Sequence, residues 1–166
     1  MQKNAVVLIG MPGAGKSTLG ILLAKELGLD FIDTDVSIQV REGKTLQQIS
    51  DKNGYLALRD IEEQVLLSED ITGKVVSTGG SAVYSEAGMA QLKQNSVVIF
   101  LDVPLAELEQ RISNFSTRGI ARRPDQSFDD LFDERSTLYQ RYADIRLDCS
   151  NLSIDEVLQK TLTALA

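Results

Sequence analysis

At 166 residues, with 43% hydrophobic and 25% charged residues, the chain is long enough to bury one core, short for two domains and too apolar for wholesale disorder. A net charge of −7 argues against a nucleic-acid partner, because affinity for a phosphate backbone comes from clustered Lys and Arg. The lack of histidine and the single cysteine, Cys149, leave no internal disulfide and no zinc site to expect; with no stretch of transmembrane length, the expectations are a buried thiol, a cytoplasmic location and no membrane partner.

An apolar run at 5–9 predicts a strand, which leads directly into Gly10-Met11-Pro12-Gly13-Ala14-Gly15-Lys16-Ser17, with Thr18 next and a helix-patterned 17–27 behind. Strand, glycine loop and helix N-terminus aim backbone N–H groups and the positive end of a helix dipole at one place, which suits a phosphate chain. The loop fits G-x-x-x-x-G-K-[ST]. Gly13, Ala14, Gly15 and Thr18 would surround the phosphates of a nucleotide, Lys16 would reach the β- and γ-phosphates, and the Ser17 hydroxyl would ligate Mg²⁺. A tight turn would explain the glycines but not the lysine and hydroxyl that follow them.

Gly28 is a natural helix stop, and 29–32 reads as a short strand ending in Asp33-Thr34-Asp35. A helix over 36–42 stops at Gly43, Thr45 caps the next, Asn53-Gly54 breaks it, and 55–70 carries Leu58, Ile61, Val65 and Leu66 at helical spacing. The β-branched run 75–78 ends in Gly79-Gly80-Ser81, ahead of a helix over 85–94 and an apolar strand over 97–101. Asp102, read as an N-cap, and Pro104 start a helix to about 113. Periodicity then disappears over 114–127, which predicts a mobile loop; 128–143 is helical, 145–148 a strand, and Ser153 caps a last helix to 165.

Strands alternating with helices predict an α/β fold, a parallel sheet with helices on both faces. In such sheets ligands bind outside the strand carboxyl ends, and Gly10, Asp33, Asp35, Gly79 and Gly80 all follow such ends. Asp33 and Asp35, two apart on an extended backbone, would point the same way. Asp33 would then hold a water of the Mg²⁺ shell while Asp35 hydrogen-bonds the acceptor hydroxyl, orienting it or acting as its base. Arg59 and Arg135 have a plainer reading as exposed helix residues, the first beside Glu62 or Glu63 and the second beside Asp133 or Asp144. Arg111, Arg118, Arg122 and Arg123 fall in a stretch without acids, which reads as a basic lid closing over ATP.

With these residues in place, the chain resembles the shikimate kinases, in the nucleoside-monophosphate-kinase-like branch of P-loop proteins. The matching stretches are 10–18, Asp33-Thr34-Asp35, Arg59 with Ile61-Glu62-Glu63, Ser77-Thr78-Gly79-Gly80, and Arg135 with Leu138-Tyr139. The resemblance implies a single three-layer P-loop kinase domain over 1–166, with a five-stranded parallel sheet in the order 2-3-1-4-5, a substrate-binding segment over about 33–62 and a lid over 114–127. It implies that Arg59 and Arg135 grip a substrate carboxylate, for which arginine's planar fork is suited. Gly80 would let the backbone approach the substrate ring, Arg118 would contact the transferring phosphoryl group, and Arg111 would flank the adenine. The implied reaction is ATP plus shikimate giving ADP and shikimate 3-phosphate, with Mg²⁺, in aromatic amino-acid biosynthesis, by a monomer. Phosphorylation of another hydroxy acid, such as a gluconate-like one, and an inactive nucleotide-binding module are the alternatives. Ser81 stands where the family has a third glycine, Leu58 where an aromatic residue is usual, and Gly119 where proline commonly follows the lid arginine.

Overall fold

A computed structural model describes residues 3–112 and 120–166. β1 (Ala5–Ile9) is buried along its whole length, and Val7, Leu8 and Ile9 have no exposed surface, because helices cover both faces of the sheet. α1 (Lys16–Leu27) follows, closed by Gly28 in the left-handed conformation that lacks a steric cost only for glycine. β2 (Asp30–Asp33) leads into three helices: α2 (Thr34–Glu42), α3 (Leu46–Asn53) and α4 (Tyr55–Ser68). β3 (Lys74–Ser77), a 3₁₀ turn over Ala82–Tyr84, α5 (Glu86–Asn95) and β4 (Ser96–Asp102) come next. α6 (Leu105–Arg111), α7 (Phe128–Tyr142), β5 (Ile145–Asp148) and α8 (Ile154–Leu165) complete the described chain.

The five strands are all parallel, in the order β2-β3-β1-β4-β5, as the resemblance implies. Val7 lies between Val76 of β3 and Val98 of β4, at the centre of the main core. From β1 the chain turns toward β2 on one side, and from β4 toward β5 on the other. The carboxyl end of β1, where the glycine loop begins, is therefore a topological switch point. A smaller cluster of Ile38, Ile49, Leu58 and Val65 holds α2, α3 and α4 together, and Ala121 completes it. This second core props up the far side of the same edge.

Several expected boundaries move. The strand and helix around Asp33 meet without a gap, so Asp33 is the last residue of β2 and the N-cap of α2, its Oδ1 accepting from the Asp35 N–H at 2.9 Å. Asp35 lies in the first helical turn, and the extended geometry expected for the pair does not hold. Asp102 is no cap: it ends β4 and its carboxylate accepts from Arg146 Nε at 2.7 Å, while Pro104 takes the N-cap position of α6. That helix ends at Arg111 and not near 113. The 3₁₀ turn at Ala82–Tyr84 has no apolar period to announce it. Among the described residues no helix is long and apolar enough to cross a membrane. Cys149 is buried as expected, and burial pushes its thiol up to about 11.

Candidate active site

A cleft of about 410 Å³ opens at the carboxyl edge of the sheet. The glycine loop forms one end, with Gly13, Gly15, Lys16, Ser17 and Thr18 on its wall. Gly15 takes φ 93° as the N-cap of α1, a conformation that turns the chain sharply into the helix and strains any residue with a Cβ. The helix amides thus begin directly at the cleft, where an anion is favoured. Lys16 is almost fully buried, and its Nζ donates to the carbonyls of Gly10 at 2.7 Å and Met11 at 2.9 Å. Arg111 bridges the loop from outside, Nη1 donating to the Gly13 carbonyl at 3.2 Å while Nη2 pairs with Glu107 at 3.5 Å.

The residues expected to hold a metal do meet. Ser17 Oγ donates to Asp33 Oδ2 at 2.6 Å and lies 3.1 Å from Ser77 Oγ. Hydroxyl and carboxylate oxygens beside a phosphate loop suit Mg²⁺, which keeps much of its water and takes few protein ligands. Among the described residues no group of three or more His, Cys, Asp or Glu gathers as a closed metal cage, and the donor set fits an ion shared with phosphates.

The other end of the cleft is lined by Asp35, Glu62, Gly79, Gly80, Ser81 and Arg135. Here the backbone is pressed close to functional side chains. A Cβ on Gly79 would stand 2.6 Å from Asp35 Oδ1 and closer still to Glu62 Oε2, so two carboxylates converge over this glycine. A Cβ on Gly80 would fall 2.7 Å from Arg135 Nη1 and 2.9 Å from Pro12 Cδ. Glycine at both positions is needed for packing. The segment is braced from below: the Gly79 N–H donates to Thr34 Oγ1 at 3.1 Å, and the Tyr139 hydroxyl donates to the Gly80 carbonyl at 2.6 Å. Tyr139 is fully buried against Phe100, and its hydroxyl adds a tie to the site.

Ser81 has φ −92° and ψ 0°, an ordinary conformation for a residue with a side chain. Its hydroxyl donates to Glu62 Oε1. Sequence reasoning assigned Glu62 only as a possible partner of Arg59, yet it is buried in the cleft wall. Burial, and next the Asp35 charge, raise its pKa from 4.5 to about 7, against the Ser81 hydrogen bond and the Arg135 and Lys16 charges. No local signal marks it, because its burial comes from the packing of α4 against the 79–81 turn.

The two arginines are arranged differently from one another. Arg135 is 1% exposed, lines the cleft, and donates from Nη2 to the Ala121 carbonyl at 2.8 Å. Arg59 does not line the cleft; it stands beside it, its guanidinium 3.7 Å from the centre of the Tyr84 ring and 5.0 Å from that of Tyr55. Among the described residues neither forms the surface ion pair considered above: Glu62 accepts from Ser81, Glu63 from Ser85, and Asp144 pairs with Lys3 and Lys93. Both carry a buried Nε with no hydrogen-bond partner among the described residues. Burial lowers the Arg59 pKa, and the nearby Arg135 charge acts in the same sense. Two desolvated cations with orphaned donors form a site in want of an anion.

Of the lid, Arg118 and Gly119 lie outside the described residues, as does most of the expected N-terminal half. Ile120 and Ala121 line the cleft. The other two arginines of the basic run turn elsewhere: Arg122 Nη1 donates to the Gln126 carbonyl at 3.0 Å, and Arg123 pairs with Glu134 at 3.4 Å.

Three comparisons agree with this geometry. A family model described as shikimate kinase matches residues 12–166. A shikimate kinase of Mycobacterium avium is 37% identical over 164 residues, covering 96% of this chain and 92% of the relative, and one of Sulfurihydrogenibium sp. is 33% identical over 159 residues, covering 95% of each. Among solved structures, shikimate kinase from Acinetobacter baumannii in complex with shikimate superposes with a TM-score of 0.88 at 30% identity, covering 98% of this chain and 92% of that one.

Proposed function

The chain belongs to the shikimate kinase family, and we propose that it transfers the γ-phosphoryl group of ATP to a hydroxyl of shikimate, giving ADP and shikimate 3-phosphate. The observation that carries the proposal is one cleft with a phosphate loop at one end and, at the other, two carboxylates converging on Gly79 beside two arginines with orphaned donors. Phosphoryl transfer asks a protein mainly to position reactants and to stabilise charge. The loop amides of 13–18 and Lys16 hold the triphosphate. Ser17 and Asp33 would hold Mg²⁺, which supplies positive charge to the β- and γ-phosphate oxygens when bound. Arg135, with Arg59 behind it, takes the acceptor carboxylate and so aims the acceptor hydroxyl at the γ-phosphorus, with the Gly80 backbone against the ring.

Asp35 accepts a hydrogen bond from that hydroxyl and orients it. As the acceptor oxygen bonds to phosphorus, its O–H bond breaks, its proton passes to Asp35 or to water, and the bond to the β-phosphate oxygen breaks to release ADP. Arg118 would contact the transferring group and Arg111, already across the loop, would flank the adenine. The test is ADP release with shikimate, its carboxamide and a panel of open-chain hydroxy acids that includes gluconate. Turnover of shikimate and not of the carboxamide is the expected result. Preference for gluconate, or equal turnover of acid and amide, would overturn the reading.

A further inference from the structure

Tyr84 lies at the end of the 3₁₀ turn that follows Gly80 and Ser81, and three charged side chains meet on it. Its ring faces the Arg59 guanidinium at 3.7 Å and has Arg135 at 5.5 Å, while its hydroxyl donates to Glu134 Oε1 at 2.7 Å. The other Glu134 oxygen accepts from Gln126 Nε2 at 2.8 Å and pairs with Arg123 at 3.4 Å. Glu134 is an acid whose charge acts on Arg59, and it is occupied from three sides.

We propose that Tyr84 is a positioning residue for the acceptor: its ring holds Arg59 beside Arg135 in readiness for a carboxylate, while its hydroxyl is one of three groups that occupy the Glu134 anion. The argument rests on the shikimate kinase reading above. A guanidinium stacked on an aromatic face gives up little of its attraction for a carboxylate, because the ring contacts its plane and leaves the edge N–H donors free. An Arg59–Glu134 ion pair, by contrast, would use those same donors. A ring at this position thus keeps the second cation available at a small energetic cost, and the Tyr55 ring, 5.0 Å from the same guanidinium, is a second aromatic contact. The placement is chain-specific in its logic: Leu58, the residue before Arg59, is buried in the small core and contributes no ring.

The experiment measures KM for shikimate and for ATP, with kcat and melting temperature, in the wild type, Y84F, and two ring-free variants, Y84M and Y84L. Loss of the ring is expected to raise KM for shikimate about 2- to 30-fold, the span of a cation–π contact, and to leave KM for ATP within about twofold. Y84F, which keeps the ring, is expected to stay within about threefold of the wild type for both substrates, since Gln126 and Arg123 still hold Glu134. In Y84M/E134Q, shikimate affinity should partly recover, because the carboxamide no longer captures Arg59. An unchanged shikimate KM in a folded ring-free variant overturns the proposal, as does a parallel rise in KM for ATP. Equal impairment of Y84F and Y84M would assign the effect to the hydroxyl instead. Failure of both ring-free variants to fold while Y84F folds would make Tyr84 a packing residue only. No turnover of shikimate by the wild type would sink the functional reading itself, an outcome separate from all of these.

Discussion

Replacing Glu62 by glutamine should make the protein more stable at pH 8 and leave its stability at pH 4.5 nearly unchanged. The folded chain holds the Glu62 proton up to about pH 7, whereas the unfolded chain releases it near 4.5, so the folded state binds the proton more tightly across that interval. Stability therefore falls as pH rises from 4.5 to 7, by up to roughly 1.4 kcal/mol for each pH unit, and above pH 7 the full cost of an ionised buried carboxyl, about 3 kcal/mol, is present. The glutamine side chain would keep an oxygen to accept from the Ser81 hydroxyl and would carry no charge next to Asp35. Urea unfolding followed by circular dichroism at pH 4.5, 6 and 8 reads the difference directly. The variant should gain as much as about 3 kcal/mol over the wild type at pH 8, a rise in melting temperature of roughly 2–4 °C per kcal/mol for a chain of this size. A constant offset between the two proteins at all three pH values, or a less stable variant at pH 8, would refute the assignment of Glu62 as the strained buried acid.

Lys16→Ala should abolish phosphoryl transfer in a folded protein, with a modest fall in stability because the Gly10 and Met11 carbonyls lose their donor; ADP release and thermal melting check both. Asp35→Asn should preserve ATP affinity and lower kcat by about 10²-fold or more, as expected when an acid–base group is lost; a collapse of ATP affinity with kcat intact would make Asp35 a metal ligand. Ser81→Ala should raise the Glu62 pKa further, since the hydrogen bond it removes favours the ionised form, and the upper edge of the pH window of falling stability should move upward while its lower edge stays near 4.5. Arg135→Ala should raise KM for shikimate roughly 10- to 150-fold with little change for ATP, by the loss of a hydrogen bond to a charged group.

Much of the fold was legible because its signals are local. An apolar run before Gly10 and a helical period after Lys16 specify strand, loop and helix without reference to anything distant, and so do the caps at Thr45 and Ser153. The same holds for the phosphate site, since Lys16, Ser17 and the glycine conformations belong to one continuous segment. Asp33 was legible as a partner of Ser17 once the one stood at a strand end and the other at the start of the helix behind the glycine loop, although its capping of α2 puts Asp35 on a helical turn and not on an extended chain.

The acceptor end of the cleft could not be read this way, because its properties arise between segments far apart in the chain. A glutamate on an amphipathic helix carries no mark of burial; only the packing of α4 against the 79–81 turn removes Glu62 from water, brings Asp35 near it and shifts its pKa. Arg59 and Arg135 each look like surface residues on their own helices, and it is the packing of Ser81 on Glu62 and of Ser85 on Glu63 that occupies the acids expected beside Arg59. Ser81 shows the converse: its type raised a question about backbone conformation that only φ −92° answers. The sequence by itself determined where phosphate would bind, because that candidate site is built from consecutive backbone amides. What sits opposite the phosphate was decided by tertiary structure, because charge, desolvation and cation stacking depend on distances that no spacing along one helix or strand encodes.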